Sequence, residues 1–133
     1  MLLAIAIAAA TYVHAHDIAV HEDGADKKYH VNDTLKVRPK GSQTITFSLS
    51  IAGSNASSCT LKGTATKVGD DFEYSETLAA FDDHPKCVLQ IAVDDKHAMV
   101  TDVGDVCRRG YCGAQATIGR TEFKRRAASK KQR

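Results

Sequence analysis

Apolar and polar residues alternate along several short stretches of the chain, which is the pattern of β-strands. The clearest stretch is 43–51, where Ile45, Phe47, Leu49 and Ile51 alternate with hydroxyl-bearing residues. A period of two places these apolar side chains on one face of a strand, whereas a helix would scatter them around its circumference. The pattern therefore predicts a strand with one face in the core.

The same alternation returns later in the chain. Strands are predicted to begin at Cys59 and at Cys87, and residues 97–103 return from a turn at 94–96. A last short strand or hairpin is predicted around Gly119. Together these patterns predict a small all-β domain of six to eight mostly antiparallel strands, folded as a sandwich or a barrel. Helix is expected only in the first residues and at 77–81.

The start of the chain has a different character. Leu2–Ala10 is an apolar run of nine residues, and Val13-His14-Ala15 follows as a small-x-small site. A permanent membrane helix needs about 20 residues, so the run is too short to be one. We therefore predict a signal peptide over residues 1–15, cleaved after Ala15. The alternative is a buried N-terminal helix or strand.

The rest of the chain divides by composition. Residues 16–42 are polar and predict an N-terminal arm, in which Thr34–Arg38 alternates as an edge strand that Pro39 ends. Residues 43–123 form the β domain, and residues 124–133 form a disordered basic tail. The chain of 133 residues lacks a glycine-rich phosphate loop and a nucleophile elbow. These features predict a non-enzymatic protein without a cofactor.

The four cysteines predict disulfides. An even count after an export signal indicates two disulfides in an oxidising compartment. A zinc site is the alternative, but the closest pair, Cys107 and Cys112, has four residues between its members. Of the three pairings, 59–87 with 107–112 is favoured. Cys59 and Cys87 each begin the apolar face of a strand, and a 107–112 bond would close a tight turn.

Charge is concentrated at the C-terminus. Residues 124–133 carry six basic and no acidic side chains, while the remainder carries twelve basic and sixteen acidic ones. Such a tail can contact anionic lipid or lipopolysaccharide, and the alternative is a tail that only improves solubility. Export argues against nucleic acid as the partner.

The last third of the chain carries a recognisable signature, with Cys107, Cys112-Gly113-Ala114-Gln115, Gly119 and Phe123 at defined spacing. With Cys59–Ala65 and Cys87–Leu89, it resembles the β-rich cysteine module of small exported bacterial proteins that end in a CGARG-x-L-x-G…F signature. These are loosely labelled LprI-like lysozyme inhibitors. Gln115 stands where that family has arginine. The resemblance covers about residues 59–123 and implies a periplasmic or secreted β domain with a lysozyme as one candidate partner.

A candidate binding loop lies between the last two cysteines. Tyr111 stands beside Arg108 and Arg109, and a disulfide would make the loop rigid. Rigid aromatic and arginine side chains lose little entropy on binding and recur as hot spots. The alternative is that Tyr111 covers the end of the core.

Histidines and paired aspartates offer further chemistry. Cleavage after Ala15 would make His16 the first residue, where its amine and ring can bind copper with His21 or His30 as a further ligand. The alternative is that these histidines are merely solvated. Three aspartate pairs, Asp70-Asp71, Asp82-Asp83 and Asp94-Asp95, are predicted as turn residues, and a basic lysozyme would be met by acidic loops such as the last two.

Two functional hypotheses follow. The first is an exported, monomeric, non-enzymatic binding protein of the bacterial envelope, with a lysozyme or another host or envelope protein as partner. The second is a periplasmic copper-binding protein that uses His16.

Overall fold

The chain folds into a closed barrel of eight antiparallel strands, in which each strand pairs with its neighbours in sequence and β1 closes the ring against β8. The computed structural model describes residues 8–127. The prediction of an all-β fold is confirmed, with strands accounting for 63% of the structure. The strands are β1 (Ala10–Glu22), β2 (Ala25–Pro39), β3 (Thr44–Ala52), β4 (Ser58–Val68), β5 (Asp71–Thr77), β6 (Lys86–Val93), β7 (His97–Asp102) and β8 (Arg120–Arg125).

The barrel interior is filled by the apolar positions of the alternating pattern. On β3 the four residues Ile45, Phe47, Leu49 and Ile51 are all buried, as the sequence predicts. An eight-stranded barrel is just wide enough for side chains to fill its interior, and here aliphatic residues do most of the filling. The core therefore serves stability, and candidate sites lie at the two ends and on the surface. The fully buried large side chains include Tyr12, Phe123, Leu35, Leu61, Leu89, Ile91, Ile118 and Val100.

Residues 16–39 belong to β1 and β2, which corrects the prediction of a polar N-terminal arm. Thr34–Arg38 is indeed a strand, but it pairs with β1 on one side and β3 on the other, so it is not an edge. The polar composition misled the prediction because most of these strand residues lie outside the packed core.

The first half of β1 is part of the barrel. Tyr12 is buried, and Tyr12 and Val13 are the two residues of β1 that pair with β8. The predicted cleavage after Ala15 would therefore remove the segment that closes the ring. That cleavage site remains a prediction, and residues 1–7 of the predicted signal lie outside the described part of the chain.

Past Val13, β1 separates from β8 and continues with β2 alone as a two-stranded ribbon, which turns between Glu22 and Ala25. A single turn of 3₁₀ helix, Ser54–Ala56, lies beside this ribbon. The Asn55 side-chain oxygen accepts a hydrogen bond from the backbone N–H of His21 at 2.8 Å. The loop between β3 and β4 thus holds the ribbon against the barrel.

The predicted disulfide pairing is wrong. Cys59 is bonded to Cys112, and Cys87 is bonded to Cys107. The cause is a six-residue helix, α1 (Val106–Tyr111), where the sequence indicates only a stapled turn. β4 and β6 begin at the end of the barrel where β7 finishes, so α1, which follows β7, lies beside both cysteine-bearing strand ends. Because β5 lies between β4 and β6, Cys59 and Cys87 are not neighbours in the sheet.

The buried carboxylate of Asp102 holds α1 in position. Its two oxygens accept hydrogen bonds from the backbone N–H groups of Cys107 and Arg108, both at 2.9 Å. The first N–H groups of a helix have no partner within the helix, so a side-chain acceptor satisfies them. Two disulfides and these two hydrogen bonds to Asp102 therefore fasten α1 to one end of the barrel.

The two disulfides indicate an oxidising compartment outside the cytoplasm. Across residues 8–127, no helix has both the length and the apolar composition needed to cross a membrane. The predicted disordered tail begins too early, because Lys124 and Arg125 belong to β8; Lys130, Lys131 and Arg133 lie outside the described residues.

Candidate metal centre

Two histidines and an aspartate meet at the point where β1 separates from β8. His14 and His16 are two positions apart on β1 and therefore share one face of the strand. Asp33 lies on β2 directly opposite His14. The strand register alone brings these three side chains together, and we call them the histidine–aspartate cluster.

The contacts within the cluster are short. Nδ1 of His14 lies 3.1 Å from Oδ2 of Asp33, and Nε2 of His16 lies 2.9 Å from Oδ1 of the same carboxylate. Asp33 is only 2% exposed, whereas the side chains of His14 and His16 are 39% and 27% exposed. The carboxylate is thus buried while the two imidazoles face solvent in part.

Hydrogen bonding defines which ring nitrogens carry protons. An ionised carboxylate can only accept, so Nδ1 of His14 and Nε2 of His16 are the donors. The backbone N–H of Ala52 donates a third hydrogen bond to Asp33 at 2.8 Å. In the neutral form of each histidine, the second ring nitrogen therefore keeps an unprotonated lone pair.

The two rings are held by packing as well. His14 and His16 stack with ring centroids 5.1 Å apart, and His14 meets the ring of Phe123 edge-on at 6.1 Å. Phe123 is fully buried, so the core fixes the position of the His14 ring.

The geometry fits a small transition-metal ion. One ligand atom from each of the three residues lies within 4.8 Å of the other two. Zinc bonds to imidazole nitrogen and carboxylate oxygen are about 2.0–2.2 Å long, which separates two ligands of a tetrahedral site by about 3.4 Å. For these ring nitrogens to bind an ion, the proton of each neutral imidazole would move to the other ring nitrogen, and the side chains would draw closer together. Three protein ligands leave a fourth position for water or another donor.

The histidines predicted as additional copper ligands are engaged elsewhere. His21 contacts Asp26 at 2.9 Å and His30 contacts Asp17 at 3.1 Å, both across the exposed ribbon. His16 lies inside a strand. Among residues 8–127, the histidine–aspartate cluster is the one group of three such ligands. Sequence reasoning missed His14 and Asp33 because it assigned His14 to the signal peptide, although the pattern His-x-His on a strand was available.

The arginines of the predicted binding loop make contacts within the chain. Arg109 forms two hydrogen bonds to Asp83, at 3.0 and 3.1 Å, and its guanidinium stacks 4.7 Å above the Phe81 ring. Nε of Arg108 donates to the carbonyl of Ala116 at 3.2 Å. Their pairing gives both arginines a structural task, and a binding role for them remains a prediction.

Tyr111 is half-buried and packs against the core. Its hydroxyl donates a hydrogen bond to Oε1 of Glu76, and the hydroxyl of Tyr74 donates to the same oxygen at 2.7 Å. Burial first, and then the hydrogen bond to Glu76, raises the pKa of each tyrosine above its ordinary value. These contacts favour the alternative in which Tyr111 covers the end of the core.

Asp82-Asp83 and Asp94-Asp95 lie in turns, as predicted, whereas of the third pair only Asp70 does, since Asp71 begins β5. Asp94 accepts hydrogen bonds from the backbone N–H groups of Lys96 and His97 at 2.7 and 2.6 Å, which lowers the pKa of its carboxyl. The hydrogen bonds from Arg109 likewise lower the pKa of Asp83.

Comparison with known proteins gives no further guide to the site: the chain matches no protein-family model, no curated protein and no solved structure.

Proposed function

We propose that this chain is an exported, non-enzymatic binding protein that holds one divalent transition-metal ion, Cu²⁺ or Zn²⁺, at His14, His16 and Asp33. The observation that carries the proposal is the buried carboxylate of Asp33 between two imidazoles at 2.9 and 3.1 Å. Imidazole and carboxylate suit both ions, and Cu²⁺ binds such sites most tightly among the first-row divalent metals.

Three features support metal binding over a purely structural hydrogen-bonded group. The imidazoles are partly exposed, so an ion can reach them from solvent. The Asp33 carboxylate is held by the Ala52 backbone, and core packing restrains the His14 ring. Such support from neighbouring groups raises metal affinity by fixing ligand orientation. A carboxylate also supplies one of the two charges that a divalent ion needs to have neutralised.

The test is a titration of the exported protein with Cu²⁺ and with Zn²⁺ by isothermal calorimetry, combined with thermal unfolding. One ion should bind per chain and raise the melting temperature, because a ligand at 100 times its Kd stabilises the folded state by about 2.7 kcal/mol. His16→Gln and Asp33→Asn should each weaken binding about 100-fold or more.

The matched controls are His21→Gln and His30→Gln on the exposed ribbon. Each removes an imidazole that contacts an aspartate, as His16 does, but lies outside the cluster. Both controls should bind metal as the unmodified protein does. Equal losses in the controls and in His16→Gln, or binding that survives Asp33→Asn together with His16→Gln, would overturn the proposal.

A second candidate function is binding of a basic protein, such as a lysozyme, through the ribbon. The ribbon extends beyond the β8 pairing and carries four acidic residues within residues 17–30, against two lysines. Tyr29 on the same ribbon is 42% exposed. Acidic charge around an exposed aromatic ring is complementary to a basic protein surface.

This candidate is tested by measuring binding to a lysozyme with two charge-matched variants. Asp17→Asn with Glu22→Gln removes two charges from the ribbon, and Asp82→Asn with Asp95→Asn removes two from the turns. Loss of binding in the first variant alone supports the ribbon. Loss of binding in the second variant alone would show that the lysozyme contacts the turns instead. Absence of binding by the unmodified protein would reject this function.

A further inference from the structure

A concave site lies at the end of the barrel opposite α1. It is a cleft of about 830 Å³, formed where β1 begins and where β2 and β8 finish. Five cationic side chains line it, and we call this site the basic cleft. They are Lys36, Arg38, Lys96, Arg125 and Arg126.

Backbone pairing gathers these cations from three separate segments: β2, the β6–β7 turn and the end of β8. Arg125 donates its backbone N–H to the carbonyl of Lys96 at 2.8 Å, and Arg126 donates to the carbonyl of Thr11 at 2.7 Å. Lys36 lies opposite Thr11 on one neighbouring strand and opposite Ser48 on the other. The cations are therefore presented by an ordered rim of the barrel.

The charge of the basic cleft is not neutralised within the described chain. None of its five cationic groups lies within 4.0 Å of a carboxylate of residues 8–127. Asp95 is the one acidic residue that lines it, and there its backbone carbonyl accepts from Nη1 of Arg125 at 3.3 Å. By contrast, Arg108 and Arg109 at the other end are both paired with aspartates.

Like charges brought together repel, so the fold gains nothing electrostatically from this arrangement, whereas an anion in the cleft would. Guanidinium groups match the geometry of phosphate oxygens, and lysines add point charges. The hydroxyls of Thr11 and Ser48 in the same lining can donate further hydrogen bonds.

We propose that the basic cleft binds the phosphate group of a ligand, either the headgroup of an anionic phospholipid or a soluble phosphate compound. This site is separate from the histidine–aspartate cluster, which lies where β1 has already left β8. It also differs from a tail that attracts anions by charge alone, because β2 and the β6–β7 turn supply three of its cations.

The experiment measures binding of the full exported chain to phosphatidylglycerol vesicles, to phosphatidylcholine vesicles and to inorganic phosphate. Lys36→Gln with Arg38→Gln tests the cleft. Lys28→Gln with Lys86→Gln is the control, since both lysines are exposed strand residues outside it. A variant with Lys130, Lys131 and Arg133 changed to Gln tests the tail.

Binding to phosphatidylglycerol but not phosphatidylcholine, weakened about ten-fold or more in the cleft variant and unchanged in the control, is the expected result. If inorganic phosphate also binds, and the cleft variant weakens that binding, a soluble phosphate compound is a sufficient ligand. If the protein binds only to vesicles, the ligand is the lipid headgroup. An equal loss in the control variant or a loss only in the tail variant would overturn the proposal. The same holds if neither phosphatidylglycerol vesicles nor inorganic phosphate binds.

Discussion

The hydroxyl of Tyr12 donates a hydrogen bond to the backbone carbonyl of Asp94 at 2.8 Å, and so joins the first strand to the turn between β6 and β7. Tyr12 also pairs with Arg125 where β1 closes the ring against β8. The start of β1 is therefore bound to two distant parts of the chain.

This contact leads to a prediction about processing. Cleavage after Ala15 would remove Tyr12 and His14, and with them the β8 pairing and one member of the histidine–aspartate cluster. Ala8-Ala9-Ala10 is also a small-x-small sequence, and cleavage after Ala10 keeps both residues. We expect intact-mass analysis of the exported protein to give Thr11 as its first residue. A mature chain that begins at His16 would contradict this prediction and remove the three-ligand site.

The disulfide pairing is directly testable. Peptide mapping without reduction should give bonds between Cys59 and Cys112 and between Cys87 and Cys107. The residues joined are 53 and 20 positions apart. In the chain-entropy model, the longer closure contributes about 4 kcal/mol and the shorter about 3 kcal/mol. Removal of the 59–112 bond by paired Cys→Ala changes should thus lower the free energy of unfolding by more than removal of the other; the reverse order would count against the entropic explanation.

Asp102 should be required for α1. Asp102→Ala leaves two backbone N–H groups near the end of the barrel without their acceptor, which should cost about 1–3 kcal/mol in the free energy of unfolding. Asp102→Asn keeps one side-chain oxygen and should cost less. Chemical denaturation of both variants measures the difference. If Asp102→Asn costs nothing while Asp102→Ala is destabilising, the side chain acts by filling space and not as an acceptor.

The tyrosines should make the folded state less stable at high pH. Burial raises the pKa of Tyr12, Tyr74 and Tyr111, and a hydrogen bond to a glutamate raises that of exposed Tyr29. A raised pKa means that the folded state favours the neutral phenol. Its stabilising contribution is present in full below the ordinary pKa of about 10 and is lost as the pH rises through the folded value.

Ultraviolet titration of the folded protein should therefore show tyrosinate forming at higher pH than in the denatured chain. Glu76→Gln should bring the titration of Tyr74 and Tyr111 closer to the ordinary value and leave that of Tyr29 unchanged. Folded and denatured chains that titrate together would show that the hydroxyls are not held by these contacts.

The sequence predicted the strands of the barrel far better than its connections. Alternation around Ile45 and Leu89 is a local signal. It predicts strands correctly because successive side chains in a strand point to opposite faces of the sheet. The path of α1 depends on where β7 finishes relative to β4 and β6. No local sequence pattern predicts that relative position. For that reason the cysteine positions were informative about faces and misleading about partners.

The candidate site could be predicted only in part from the sequence, for a similar reason. His16 was identified from its place in the chain, whereas its contact with Asp33 depends on the register between β1 and β2. A register is fixed by pairing along the whole ribbon. The polar composition of residues 16–42 concealed that ribbon, because polar strands give a weak alternation signal.

The contact between Asn55 and the ribbon has a consequence for the behaviour of the protein in solution. Beyond Val13, no strand within residues 8–127 pairs with the outer edge of β1, and a free edge can recruit a strand from another molecule. The side chains of Ser54 and Asn55 accept hydrogen bonds from the N–H groups of Ala19 and His21 on that edge, at 3.4 and 2.8 Å. They occupy donors that an incoming strand would need, so two side chains of the β3–β4 loop protect this edge from edge-to-edge aggregation in a crowded compartment.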